Sequence, residues 1–132
     1  MEKVTEGQQV FEGFKKRSKI IVPFRRQKIE GAIRKAAEVV ASRDGVPQDE
    51  DMPHRVTDRV IEQLNTPGGE FYVFPDEDGK RRPCIEDVQD LVEITLSELG
   101  YAEIVVAYKR YRKQREVARR RIQVRGNPDD SN

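Results

Sequence analysis

Between Ile85 and Gly100 the residues Ile85, Val88, Leu91, Val92, Thr95, Leu96 and Leu99 recur at three- and four-residue steps, and the run ends on a glycine. A 3.6-residue period puts them on one side of an α-helix, and glycine suits the left-handed position that closes one. A strand cannot carry this pattern on one face, because its side chains alternate with a period of two. A single amphipathic helix cannot bury its stripe alone. The rest of the chain must supply apolar partners of similar length, and this constrains the fold more than any other feature.

Three other segments meet the requirement. "FRRQKIEGAIRKAAEVVAS" places Ile29, Ala32, Ile33, Ala36, Ala37 and Val40 on one stripe. A second helix begins near Pro53, a residue favoured in the first turn, and carries Val56, Val60, Ile61 and Leu64 inward. The last, "AEIVVAYKRYRKQREVARRR", is apolar at its start and strongly basic afterwards. Gly31, inside the first helix, costs about 1 kcal/mol relative to alanine, which predicts a close packing contact there.

Ahead of the first helix, Ile20-Ile21-Val22 ends at Pro23 and reads as one arm of a hairpin. "EFYVFPDEDGKRRPC" reads as a short strand, a turn at Asp78-Gly79 and a return arm. Residues 1–13 are expected to form a loose lead-in and residues 122–132 a tail, frayed from Arg125 onward. The predicted class is α+β and mainly helical, a small N-terminal β-hairpin packed on a four-helix, bundle-like body.

Composition narrows the chemistry. With 132 residues, of which 36% are apolar and 37% charged, the chain can bury one modest core. Cys84 and His54 are the only cysteine and histidine, so neither an internal disulfide nor a four-ligand zinc site can form. Cys84 is expected to be a small apolar filler and His54 a surface residue. No stretch has the length of a membrane span and no signal-peptide layout appears, which points to a cytoplasmic protein. There is no P-loop or dinucleotide fingerprint and no nucleophile–base pairing. "DEDG" at Asp76 to Gly79 lacks the rest of a calcium loop and reads as a turn.

One stretch resists a purely structural account. "KKRSKIIVPFRRQKIEGAI", from Lys15 to Ile33, crowds cations together although the whole chain carries a formal charge of only +1. A helix N-terminus bears partial positive charge, so Asp and Glu are expected in its first turn. Here Arg25, Arg26 and Lys28 stand there instead. Side chains splayed into solvent would tolerate this arrangement. A bound anion would explain it, and Lys16 and Arg17 lie on the adjoining arm; a nucleoside triphosphate suits such a cluster. The last helix holds a second basic set, Lys109, Arg110, Arg112, Lys113, Arg115 and Arg119 to Arg121. Its later cations complement the helix dipole, and Tyr108 and Tyr111 fall at the edge of the core.

These residues together resemble the ATP-cone, the regulatory domain found at the N-terminus of many ribonucleotide reductases. Lys16-Arg17, Pro23-Phe24 and Lys28-Ile29 stand at the spacing of that family's opening motif. "IEDVQDLVEITLSELGYAEIVVAYKRYRKQR", with Tyr111-Arg112, is similar to its closing pair of helices. The resemblance covers residues 14 to 115 in two blocks and implies a cone over residues 14–121. It implies reversible binding of ATP or dATP, with Mg²⁺ held through water rather than by dedicated carboxylates, and control of a reductase through a change in oligomeric state. The partners implied are the nucleotide and either further copies of the chain or a reductase subunit, with no membrane.

By the same resemblance, Lys16, Arg17 and Lys28 would contact phosphates, Val22 would line the nucleotide pocket, and Arg110 and Lys113 would approach from the last helix. Two departures add positive charge. Ser18-Lys19 replaces the usual Asp-Gly, and a lysine there predicts a different turn, since glycine accepts positive φ most easily. Arg25 stands where Asp or Asn is common. Catalytic residues are not seen, which fits a regulatory part rather than an enzyme. The rival readings are a nucleic-acid-binding module using the basic helix from 109 to 125 and a helical interaction domain without a ligand.

Overall fold

The computed structural model describes residues 11–16 and 19–124; the expected tail from Arg125, most of the lead-in, and Arg17 and Ser18 lie outside them. Strand β1 (Phe14–Lys15) pairs antiparallel with β2 (Ile21–Val22), Phe14 opposite Val22 and Lys15 opposite Ile21. Four helices follow: α1 (Arg26–Asp44), α2 (Met52–Leu64), α3 (Ile85–Glu98) and α4 (Ala102–Val124). Helix α1 packs between α2 and α4, and α3 packs against both of those helices, so the four enclose one core. Arg43 of α1 meets Glu103 at 2.9 Å and Lys35 sits 5.8 Å over the Tyr111 ring, so α1 and α4 run antiparallel. No helix among the described residues is long and apolar enough to cross a membrane.

The apolar period of each helix becomes the buried stripe. Ile29, Ile33, Ala36 and Ala37 of α1 meet Val56, Val60, Ile61 and Leu64 of α2 and Val88, Leu91, Val92 and Leu96 of α3 in one cluster, with Tyr108 from α4. Thr57 and Thr95 are buried too, their hydroxyls donating to the carbonyls of Pro53 and Leu91 at 2.8 Å. Gly100 takes φ 89 and turns the chain from α3 into α4. His54 is exposed, as expected, but Cys84 is only half-buried at the start of α3.

Three expectations change. A Cβ built on Gly31 meets nothing within 4 Å, so no close contact accounts for that glycine. Lys19 adopts φ 71, and its N–H donates to the Lys16 carbonyl at 2.8 Å while Lys16 N–H donates to the Ile20 carbonyl at 2.9 Å. The hairpin therefore keeps the left-handed turn that glycine favours, and a lysine bears its cost. The stretch from Glu70 to Cys84 forms a turn at Gly79, φ 79, but among the described residues its arms are not paired strands.

Arg81 explains the third change. Its Nε donates to the Val73 carbonyl at 2.8 Å, an acceptor that a strand partner would use, and its Nη2 to the Leu64 carbonyl at the end of α2 at 3.1 Å. The guanidinium lies between the rings of Phe11 and Tyr72, 5.0 and 4.9 Å from their centroids. Its own carbonyl accepts from Glu12 N–H at 2.8 Å, and Pro83 accepts from Lys15 N–H at 2.9 Å. The end of this loop thus runs along the edge of β1 that β2 leaves open. Phe11, placed in the lead-in by sequence, is 7% exposed and belongs to the core. Lys15 adds an ion pair to Asp76 at 3.0 Å, and Arg82 bridges Asp76 and Asp78. The Lys15 hydrogen bond holds the Asp76 carboxyl below the usual range against the opposing effect of burial, with Arg82 helping. The loop is a brace for the hairpin.

Candidate functional site

The braced hairpin, the first turns of α1 and α3, and the second half of α4 enclose a cavity of about 640 Å³. Its apolar side is formed by Phe14, Ile20, Val22, Ile29, Ile85 and Val88. Lys16, Arg25, Lys28, Arg115 and Arg119 line it with positive charge, and Gln89, Tyr108 and Tyr111 supply the remaining polar atoms. Among the described residues none that lines it is a carboxylate. An apolar floor under a cationic rim suits a ligand with one flat apolar part and one highly anionic part.

The neighbouring cations at the start of α1 have different fates. Arg26 folds back, its Nε on Glu30 at 2.8 Å and its Nη2 on Asp58 at 2.8 Å, joining α1 to α2. Burial lowers the Arg26 pKa, but the bonds to Asp58 and Glu30 outweigh it and hold the guanidinium above its ordinary value. His54 closes the same knot, with Nδ1 3.1 Å from Glu30. Arg25 and Lys28 instead line the cavity, and no acidic residue occupies the first turn of the helix. Among the described residues the side chains of Arg25, Lys28 and Arg119 have no hydrogen-bond or ion-pair partner. By contrast Lys15, Arg43, Arg55, Arg82, Lys109 and Arg112 all meet carboxylates within 3.2 Å.

Helix α4 contributes one face. Tyr108, Tyr111, Arg115 and Arg119 follow at steps of three, four and four, which aligns them along the cavity. Tyr108 is 3% exposed, and burial pushes its phenol pKa upward. Arg112 turns to α3, with Nη1 on Asp90 at 3.0 Å and on Glu93 at 2.6 Å. Its pKa is lowered by burial but raised further by these bonds, and the net direction is up.

Of the residues expected at the site, Lys16, Val22 and Lys28 line the cavity together. Arg17 lies outside the described residues. Arg110 and Lys113 are exposed on α4 and are not among the lining residues. The sequence singles out Arg25 among the helix-start cations that an anion would explain and counts Arg115 and Arg119 in the second basic set, but none of the three is among the expected site residues; Gln89 is not selected, and Tyr111 has only a core-edge role. The signal for the α4 group was present, because stepping from the apolar stripe at Ile104 and Tyr108 in helical increments leads to Tyr111, Arg115 and Arg119.

Among the described residues no group of three or more His, Cys, Asp or Glu is arranged to hold a metal ion. Comparison with models of protein families matches residues 14–117 to the ATP cone domain.

Proposed function

The chain belongs to the ATP-cone family, whose domains bind nucleotides as allosteric regulators, and from that premise we propose that the cavity is the effector site and takes ATP or dATP. The observation that carries the reading is the set of partnerless cations, Arg25, Lys28 and Arg119, around an apolar floor. In this proposal the base lies against Val22, Ile29 and Tyr111. Lys16, Arg25, Lys28, Arg115 and Arg119 meet the phosphates, helped by the amide groups at the start of α1. Arg17, Arg110 and Lys113 act as outer cations whose loss weakens binding less.

The regulated enzyme in this reading is a ribonucleotide reductase, and the response is a change of oligomeric state. A nucleotide can shift such an equilibrium only by the difference between its affinities for the two states. The hairpin, α1, α3 and α4 all border the cavity, so a ligand that draws them together alters the outer surfaces of the same helices.

Calorimetry with ATP and dATP tests the site. Sub-millimolar binding that Lys28→Ala abolishes supports it, and no heat at millimolar nucleotide refutes it. Light scattering with and without dATP tests the response, an unchanged mass leaving a binding domain without a switch. A second reading rests on the exposure of Arg110, Lys113 and Arg121 on α4, which could meet a nucleic-acid backbone. An oligonucleotide in the same calorimeter separates the two, since backbone binding falls steeply with salt and ignores ATP.

A further inference from the structure

Two outward rows, one on α3 and one on α4, match each other in charge, spacing and order. On α3, Asp87, Asp90, Ile94 and Glu98 follow at steps of three, four and four; all are exposed, Ile94 by 41%. The helix carries five acidic residues and no lysine or arginine. On α4, Arg110, Lys113, Val117 and Arg121 repeat the same steps on the side opposite the buried Tyr108. The three cations are exposed and Val117 is half-buried. Steps of three and four hold each row on one helix face. Within one chain the rows cannot meet, because α4 gives Arg112 to Asp90 and Glu93 of α3 and Tyr108 to the core, so its basic row faces away.

We propose that these rows are the two halves of a contact between copies of the chain, the α3 row of one copy receiving the α4 row of another. With the helices parallel and in register, Asp87 meets Arg110, Asp90 meets Lys113, Ile94 meets Val117 and Glu98 meets Arg121. The antiparallel register that also pairs Ile94 with Val117 leaves Arg110 without a carboxylate, so the order of residues selects the parallel one. Contact through two different faces is heterologous. Each copy keeps one row free, and assembly continues into a ring or an open chain instead of stopping at a two-fold dimer. Exposed ion pairs around one apolar contact make the association weak and dependent on salt. It needs no ligand in the cavity and does not rest on the nucleotide reading. It gives Arg110 and Lys113, which do not line the cavity, partners of opposite charge.

Sedimentation velocity on the full chain in about 0.1 M and about 1 M NaCl tests the contact. In low salt the mean mass should rise with concentration past that of a dimer, and in high salt it should fall toward that of one chain. Lys113→Glu sets an acid against Asp90 and Glu98→Lys sets a cation against Arg121, and each should weaken association at least about tenfold. Mixed in equal amounts, the two variants should form a pair that grows no further, because each supplies the row the other has lost. A chain that stays monomeric in low salt, or variants that associate as the parent does, overturn the proposal. A mixture that stays monomeric or grows past a pair overturns it too. Binding of an oligonucleotide by a monomeric chain, lost in Lys113→Glu, assigns the α4 row to a nucleic-acid backbone instead.

Discussion

Replacing Arg81 by alanine should destabilise the domain by about 3 kcal/mol, more than a half-buried surface arginine ordinarily contributes. Four contacts of two kinds are lost. The bonds to the Val73 and Leu64 carbonyls, at 2.8 and 3.1 Å, are charge-assisted, and such bonds contribute about 1.5–3 kcal/mol each before overlap is allowed for. The two aromatic contacts, with Phe11 and Tyr72, add about 0.5–1 kcal/mol each. Against this, the Leu64 carbonyl keeps a bond from Val73 N–H at 3.1 Å, so only the Val73 carbonyl loses its partner outright. Shared geometry makes these contributions less than additive, and about 3 kcal/mol is the balance.

Urea unfolding followed by circular dichroism measures the change directly. In a domain of this size it should appear as a fall in melting temperature of roughly 10 °C. Arg81→Lys keeps the charge but loses the planar fork that reaches two carbonyls while lying between two rings, and it should recover less than half of the loss. Because the Arg81 loop braces β1, the alanine variant should also weaken nucleotide binding at Lys16. A loss below about 1 kcal/mol, or full recovery by lysine, would show that the loop is held by its backbone bonds and that Arg81 only decorates it.

Gly31→Ala should stabilise the chain by about 1 kcal/mol, since the added methyl meets nothing within 4 Å and the helix gains propensity; equilibrium unfolding decides, and a loss of stability would reveal a contact at that face. Lys19→Gly should also stabilise it, by up to about 1 kcal/mol, by removing a side chain from a residue held at φ 71, while the loss of its charge leaves the cavity residues in place. The Asp76 carboxyl is depressed in the folded state, so the stability it contributes is present above its unfolded value near 4 and is lost as pH falls through the folded value. Acid titration of Asp76→Asn should therefore show a shallower loss of stability below pH 4 than the parent chain, and identical acid limbs would exclude Asp76 as a contributor.

The helices were legible because burial enforces their period. Val88, Leu91, Val92 and Leu96 point to the core for the reason their spacing can be read at all, namely that a helix must hide one side. The loop from Glu70 to Cys84 was misread for an equally physical reason. Its β-favouring run Phe71-Tyr72-Val73-Phe74 and its Asp-Gly turn satisfy the local rules for a hairpin, but Arg81 takes the Val73 carbonyl and ties it to the Leu64 carbonyl at the end of α2, and no local rule reveals a guanidinium reaching 17 residues back. The turn at Lys19 was misread because sequence rules express preference, and a preference of about 1 kcal/mol yields to a hairpin whose two ends are fixed by other bonds.

The site was half legible, and Arg25 and Arg26 show where legibility stops. Both break the rule against cations at a helix start, but Arg25 is the extended residue that caps α1 and Arg26 its first helical residue, and their side chains go to different partners. The pairing of Arg26 with Glu30, four residues on, was readable from spacing alone. Its second partner, Asp58, comes from α2, and only the packing of α1 on α2 reveals it. Arg25 has no such partner among the described residues, and neither do Lys28 and Arg119, which approach from different elements. Some cations are neutralised within the fold: acidic residues dominate between Asp44 and Glu103, and Lys109 and Arg112 of the basic helix both reach Glu93 there. Arg25, Lys28 and Arg119 differ from the other cations without such partners in lining one cavity, and that convergence is what the proposed nucleotide reading uses.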